Sequence, residues 1–163
     1  NYLFHIEFSK DLEAVVNFAK KRFTNRGLGI WALSMGTMVT TYAYDGIKDD
    51  IDFLVYDAFV FCPREHIQRL KSQKDKQAFS PIKTEEYVLK WKSIDIPIML
   101  FAGRQDELTT AKDALSKKGE FSFVPAISFY DGGHLMGFQH EIKRSGFGGW
   151  YSSQIDFFIR QIG

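Results

Sequence analysis

The sequence has one cysteine in 163 residues, four prolines and a formal net charge of only +1. A lone thiol, Cys62, cannot close an internal disulfide, and it fits a reducing, cytoplasmic setting. It ends the apolar run Phe59-Val60-Phe61 just before Pro63, where a buried structural thiol is the expected role rather than a nucleophile. No apolar run approaches the roughly 20 residues that span a bilayer, so no membrane span is expected, and the first residues show no basic, apolar, small-residue signal arrangement. Lys and Arg number 21 against 20 Asp and Glu, interspersed along the chain, which leaves no basic stripe to neutralise phosphates and excludes nucleic acid as a partner. The charged run Arg69 to Lys76 mixes signs and polar residues and reads as a solvated helix face. His, Cys and carboxylates show no metal-ligand spacing, no cofactor is expected, and no internal repeat or low-complexity tract occurs.

What is present is a well-mixed composition, 45% hydrophobic and 25% charged, which suits a single globular domain. Apolar side chains at Leu12, Val15, Val16, Phe18 and Ala19 have helical spacing and predict a helix over 9–23, with Ser9 or Asp11 able to cap it. Gly27 and Gly29 punctuate, and Ile30 to Leu33 then read as a short strand apolar on both faces, as in a buried parallel sheet. A helix follows over 35–44. A second strand is expected over 52–61, stopped by Pro63. Residues 64–93 are polar and aromatic by turns and read as an excursion with short helices over 65–71 and 84–92. Ile96 to Gly103 is the clearest buried strand, followed by a helix over 109–118, a fourth strand over 121–130 and an amphipathic helix over 150–162. Strands alternating with helices imply an α/β fold, a parallel sheet flanked by helices, with ligands gathered at the carboxyl ends of the strands.

Three such strand ends carry chemistry. Ala32-Leu33-Ser34-Met35-Gly36 places a serine between small residues where an apolar strand runs into a helix, which is the pattern of a nucleophile elbow. Phe101-Ala102-Gly103-Arg104-Gln105-Asp106 supplies an acid, with Glu107 as its local rival, and Asp131-Gly132-Gly133-His134 supplies a histidine. A serine hydroxyl attacks a carbonyl only if a base removes its proton. An imidazole can do so near neutral pH, and a carboxylate on the other ring nitrogen fixes the tautomer and stabilises the imidazolium. Against these roles stand plainer ones: Ser34 as a helix N-cap, Asp106 as a turn residue and His134 as a satisfied loop histidine. His5, His66 and His140 have no comparable strand-end context, and Asp131 reads as a turn residue.

The elbow, the acid strand with its loop and the Gly132-Gly133-His134 loop resemble the corresponding segments of the α/β-hydrolase family, and the resemblance covers nearly the whole chain. It implies Ser34 as nucleophile, His134 as its base and Asp106 as the residue that orients the histidine. It further implies the Met35 N–H as an oxyanion donor and residues 64–93 as a small cap over the substrate. Phe79, Tyr87 and Trp91 in that cap are candidates to bind an apolar acyl or alkyl group, or alternatively to pack the cap onto the core. The resemblance to a family of esterases, lipases, thioesterases, acyltransferases and peptidases makes a serine hydrolase of carboxylic esters or thioesters the leading expectation. A catalytically silent binding or assembly domain, and an acyltransferase or thioesterase-type enzyme, are the alternatives.

The chain departs from the family pattern in one respect beyond Ala32. The family sheet has about eight strands, and this sequence starts at the helix before the fifth, so the first half of the sheet is absent and no residue can be assigned as the second oxyanion donor. The strand over 30–33 would then be an uncovered edge, with N–H and C=O groups that a missing N-terminal segment or a second chain is expected to pair.

Overall fold

The computed structural model describes residues 6–24, 26–80 and 83–163; His5 lies outside the described residues. In chain order the elements are α1 (Glu7–Arg22), β1 (Gly29–Leu33), α2 (Met35–Ile47), β2 (Phe53–Asp57), α3 (Pro63–Lys74), α4 (Thr84–Lys92), β3 (Ile98–Gly103), α5 (Ala111–Lys117), β4 (Ala126–Tyr130), α6 (Ile142–Ser145) and α7 (Gly149–Ile162). The four strands form one sheet in the order β1-β2-β3-β4, every neighbouring pair parallel. Parallel neighbours cannot be joined by tight hairpins, so each connection has to cross a face of the sheet, and the intervening helices supply those crossings.

Strand periodicity divides the core in two. Leu54 and Tyr56 of β2 and Ile98, Leu100 and Ala102 of β3 face α1, α2 and α4, joined there by Val16, Met38, Ala43, Tyr87 and Trp91. Val55 of β2, Met99 and Phe101 of β3 and Tyr130 of β4 point to the other face and meet Trp150, Tyr151 and Phe158 of α7. Both faces are covered, which is why β2 and β3 read as continuous apolar runs instead of alternating ones. On α1 the apolar set is split: Val16 is buried, whereas Val15 and Phe18 are 61% and 67% exposed. Ser9 lies inside this helix, its hydroxyl donating to the Ile6 carbonyl, and caps nothing.

β1 is an edge of the sheet, as its sequence implied, with Trp31 42% exposed and resting on Phe138 and Tyr151. β2 is shorter than expected. It stops at Asp57, because Ala58 adopts a left-handed backbone (φ 55°) that no strand can continue through, and the apolar residues 59–61 turn into the core as a buried loop. β4 is likewise shorter than the aromatic run before it, Phe121 packing into the core ahead of the strand.

Within the excursion expected over 64–93, α3 and α4 are the two helices, Pro63–Lys74 and Thr84–Lys92. α4 seals the core: Tyr87 and Trp91 are 0% and 1% exposed, the Tyr87 hydroxyl donates to the Val60 carbonyl at 2.6 Å, and the Trp91 indole N–H donates to the Phe61 carbonyl at 3.0 Å. The two large rings satisfy the Val60 and Phe61 carbonyls of the loop that follows β2.

Candidate active site

The elbow forms where β1 meets α2. Ser34 has φ 49° and ψ −115°, a conformation that an L-residue holds only when its surroundings enforce it. Its N–H donates to the Asp57 carbonyl at 2.8 Å, continuing the β1–β2 ladder by one bond, while its own carbonyl accepts from Thr37 N–H at 2.9 Å and Thr37 Oγ1 at 2.7 Å to start α2. A methyl at Gly36 would sit 3.8 Å from Ala32 Cβ, an ordinary contact, so the Ala at position 32 is accommodated without strain. Met35 opens the helix, which leaves its N–H among those with no intrahelical acceptor.

The acid loop and the histidine loop are sewn together by backbone. Arg104 N–H donates to the Tyr130 carbonyl and Gln105 N–H to the Gly132 carbonyl, both at 3.0 Å. A side chain at Gly103 would lie 2.7 and 2.8 Å from the Gly132 and Gly133 carbonyl oxygens, so only glycine lets the two loops approach this closely. α3 braces the acid loop from outside. Arg69 donates to the Leu108 carbonyl at 3.1 Å and to Asp113 at 2.7 Å, and His66 Nδ1 lies 3.3 Å from the same carbonyl. Burial pushes the His66 pKa down, so the ring is held neutral as a structural group, not as part of the site.

Three side chains far apart in sequence meet at this rim. His134 Nε2 is 2.9 Å from Ser34 Oγ, and His134 Nδ1 is 2.9 Å from Asp106 Oδ2. Asp106 is enclosed, its side chain 0% exposed, while His134 keeps 27% of its surface open. The Asp106 carboxylate also accepts from Leu108 N–H at 2.8 Å and Thr109 N–H at 3.1 Å on Oδ1, and from Thr109 Oγ1 at 2.6 Å on Oδ2. Burial pulls its pKa upward, but the hydrogen bonds from His134 and Thr109 outweigh that and hold it below the usual carboxylate range. An anionic Asp106 accepts a proton-bearing Nδ1, which leaves Nε2 as an acceptor facing the serine hydroxyl. Such a relay can take a proton from Ser34 Oγ and return it to a leaving group.

The other expected site residues are elsewhere. Tyr87 and Trp91 are core residues, as above, and offer no face to a ligand. Phe79 is 59% exposed and lines a cleft of about 520 Å³ with Ile67, Lys71, Lys76, Gln77, Ala78 and Ser80, to which neither Ser34 nor His134 contributes. Glu107 gives only its carbonyl, to Gln73, and the position facing the histidine belongs to Asp106. His140 Nδ1 accepts from Asp131 N–H at 3.4 Å, and Cys62 is half-buried at the start of α3. Sequence reasoning passed over Asp57, a carboxylate with no exposure at the end of β2, beside the elbow. A charged residue closing an apolar strand is the one signal that could have found it.

Among solved structures, the Pf2001 esterase of Pyrococcus furiosus superposes on 100% of this chain and 65% of its own, with a TM-score of 0.71 at 20% identity. The chain has the α/β-hydrolase fold. Other structures with this fold match as well: the esterase domain of a Rhodothermus marinus protein (TM-score 0.65, 14% identity, 95% of this chain and 69% of that one) and Est1E from Butyrivibrio proteoclasticus (0.69, 15%, 99% and 71%). No family model matches the sequence, and no curated protein matches it. The chain spans 61% to 65% of the length of the Pf2001 chains it resembles, and its α/β-hydrolase sheet has four strands among the described residues. Among those residues no helix is long and apolar enough to cross a membrane, and no group of His, Cys and carboxylates is placed to hold a metal ion.

Proposed function

We propose that this chain carries the catalytic relay of a serine hydrolase that cleaves carboxylic esters or thioesters through an acyl-enzyme. The observation that carries the reading is the pair of 2.9 Å contacts linking Ser34 Oγ, the His134 ring and Asp106, with the serine in an enforced backbone conformation. In the first half-reaction His134 Nε2 takes the Ser34 proton as Oγ bonds to the acyl carbon. The resulting oxyanion accepts from the Met35 N–H, and the imidazolium then protonates the departing alcohol or thiol. Water repeats the sequence on the acyl-serine and regenerates Ser34. One oxyanion donor contributes about 3 to 4 kcal/mol where measured, so a second donor supplied from outside these residues is part of the proposal.

Two things support an ester as substrate: the esterases whose structures share this fold, and a relay exposed only at its histidine and serine end. A silent binding domain is the second reading, favoured by β1 lying at the edge of the sheet among the described residues. A fluorophosphonate probe separates them. Labelling of the full-length protein, lost in Ser34→Ala, is the expected result, together with release of nitrophenol from short nitrophenyl esters. An unlabelled full-length protein would establish the silent domain instead. Labelling with turnover only when an alcohol or amine acceptor is added would identify an acyltransferase.

A further inference from the structure

The relay does not use the buried carboxylate of Asp57, yet Asp57 touches both the serine and the strand that leads to the histidine loop. Asp57 pairs with Leu33 in the β1–β2 register, and its carbonyl accepts the Ser34 N–H at 2.8 Å. Its side chain points to the α7 face of the sheet, where Oδ1 accepts from the Tyr130 hydroxyl at 3.1 Å and Oδ2 accepts from the Tyr151 hydroxyl. Tyr130 is the last residue of β4, its carbonyl holds Arg104 of the acid loop, and His134 follows four residues later. Tyr151 belongs to α7 and reaches Asp57 only because position 137 has no side chain: a Cβ there would fall 2.2 Å from the Tyr151 hydroxyl oxygen. The space is built to let that ring in.

A carboxylate with no exposure is costly to bury, and two neutral hydroxyls compensate it only in part. Apolar side chains would fill this end of the sheet more cheaply, which makes a task for the charge the economical explanation. Resting on the proposed serine chemistry, and deepening it, we propose that Asp57 is a positioning residue. Its carbonyl sets the seat of Ser34, and its carboxylate, gripping Tyr130 and Tyr151, fixes the histidine loop and favours positive charge on His134 during proton transfer.

The ionised carboxylate can accept from both tyrosines at once. Once protonated it must donate to one of them, and one of the two existing bonds has to reverse or break. The groups that face it among the described residues are Tyr130 from β4, Tyr151 from α7, the Ala58 N–H from its own loop and, through its charge, His134. Burial raises the Asp57 pKa to about 6 against the hydrogen bonds from Tyr151 and Tyr130. The switch between the two hydrogen-bond patterns therefore falls within the working range of a serine hydrolase.

The test compares fluorophosphonate labelling of wild type and Asp57→Asn in the full-length protein across pH 5 to 9. Above pH 7 the variant is expected to label roughly 10-fold more slowly, and the two rates are expected to converge below about pH 6, where wild-type Asp57 is itself neutral. A loss that is uniform with pH would mark a purely structural role and overturn the proposal, as would unchanged rates. A second measurement stands whether or not the serine is labelled. In a His134→Gln background, which removes the imidazole titration, the Ser34 and Gly133 amide resonances are expected to register a step near pH 6 that disappears when Asp57→Asn is added. If the step is missing before that addition, Asp57 does not communicate with the elbow and the inference fails, independently of the enzyme reading.

Discussion

Asp106 and Asp57 are two aspartates closed off from solvent at the same rim of the sheet, and their pKa values are shifted in opposite directions. Both pay for burial. Asp106 follows a strand by three residues and folds back on a loop whose N–H groups, with the Thr109 hydroxyl and the His134 ring, supply four donors to its two oxygens. Asp57 sits at the strand end itself, where the ladder consumes its own N–H and C=O, and its carboxylate has two tyrosine hydroxyls as side-chain donors. Burial pushes both upward, and the number and kind of donors decide the outcome: four donors hold the loop carboxylate below the usual range, whereas the strand-end carboxylate is pushed up to about 6.

The largest expected effect separates the two by role. Asp106→Asn removes the acceptor that selects the His134 tautomer, and labelling of Ser34 should fall by roughly 10³- to 10⁴-fold at pH 8, far beyond the loss from Asp57→Asn. Comparable losses in the two variants would erase the distinction.

The next effect is on stability, and the signs are opposite. Asp57 has a raised folded-state pKa, so its contribution is full below its ordinary value of 3.8 and is lost as pH rises through about 6. The cost is on the order of 3 kcal/mol by pH 8. Asp106 has a depressed folded-state pKa, so its contribution is full above 3.8 and is lost as pH falls through its folded value. From these two groups stability should peak near pH 4 and fall from there to about pH 6. Urea unfolding of Asp57→Asn should show a flatter decline between about pH 4 and 6 than wild type, and Asp106→Asn a flatter decline below pH 4; parallel curves would contradict the assignment.

The smallest effect sharpens the donor argument. Thr109→Val deletes the 2.6 Å hydroxyl bond to Asp106 Oδ2 at nearly constant volume. A charge-assisted bond of this kind is worth about 1.5 to 3 kcal/mol, so the acid limb of the stability curve should move toward higher pH and labelling should slow by roughly 10-fold. An unmoved acid limb would show that the backbone donors alone suffice.

Much of this was legible along the chain. Buried parallel strands are written as continuous apolar runs, so β1, β3 and the helices between them stood out, and the elbow, the acid loop and the histidine loop each sat just past a run of this kind. The run from Phe53 to Phe61 misled because hydrophobicity reports burial, not extension: Phe59, Val60 and Phe61 are as buried as the strand, but the backbone has already turned at Ala58. Tyr87 and Trp91 left two readings open for a related reason, and the structure places them in the core. An aromatic ring on a short amphipathic helix looks the same in sequence whether it faces a ligand or a neighbouring carbonyl.

The sequence by itself determined the alternation of strands and helices and the order serine, acid, histidine, since local periodicity and turn residues encode both. Only the tertiary structure decided which acid faces His134, what the rings of α4 touch and what Asp57 holds. Those outcomes depend on distances between segments up to a hundred residues apart, and on absences such as the missing side chains at Gly103 and Gly137, which acquire meaning only when another element comes to fill the space.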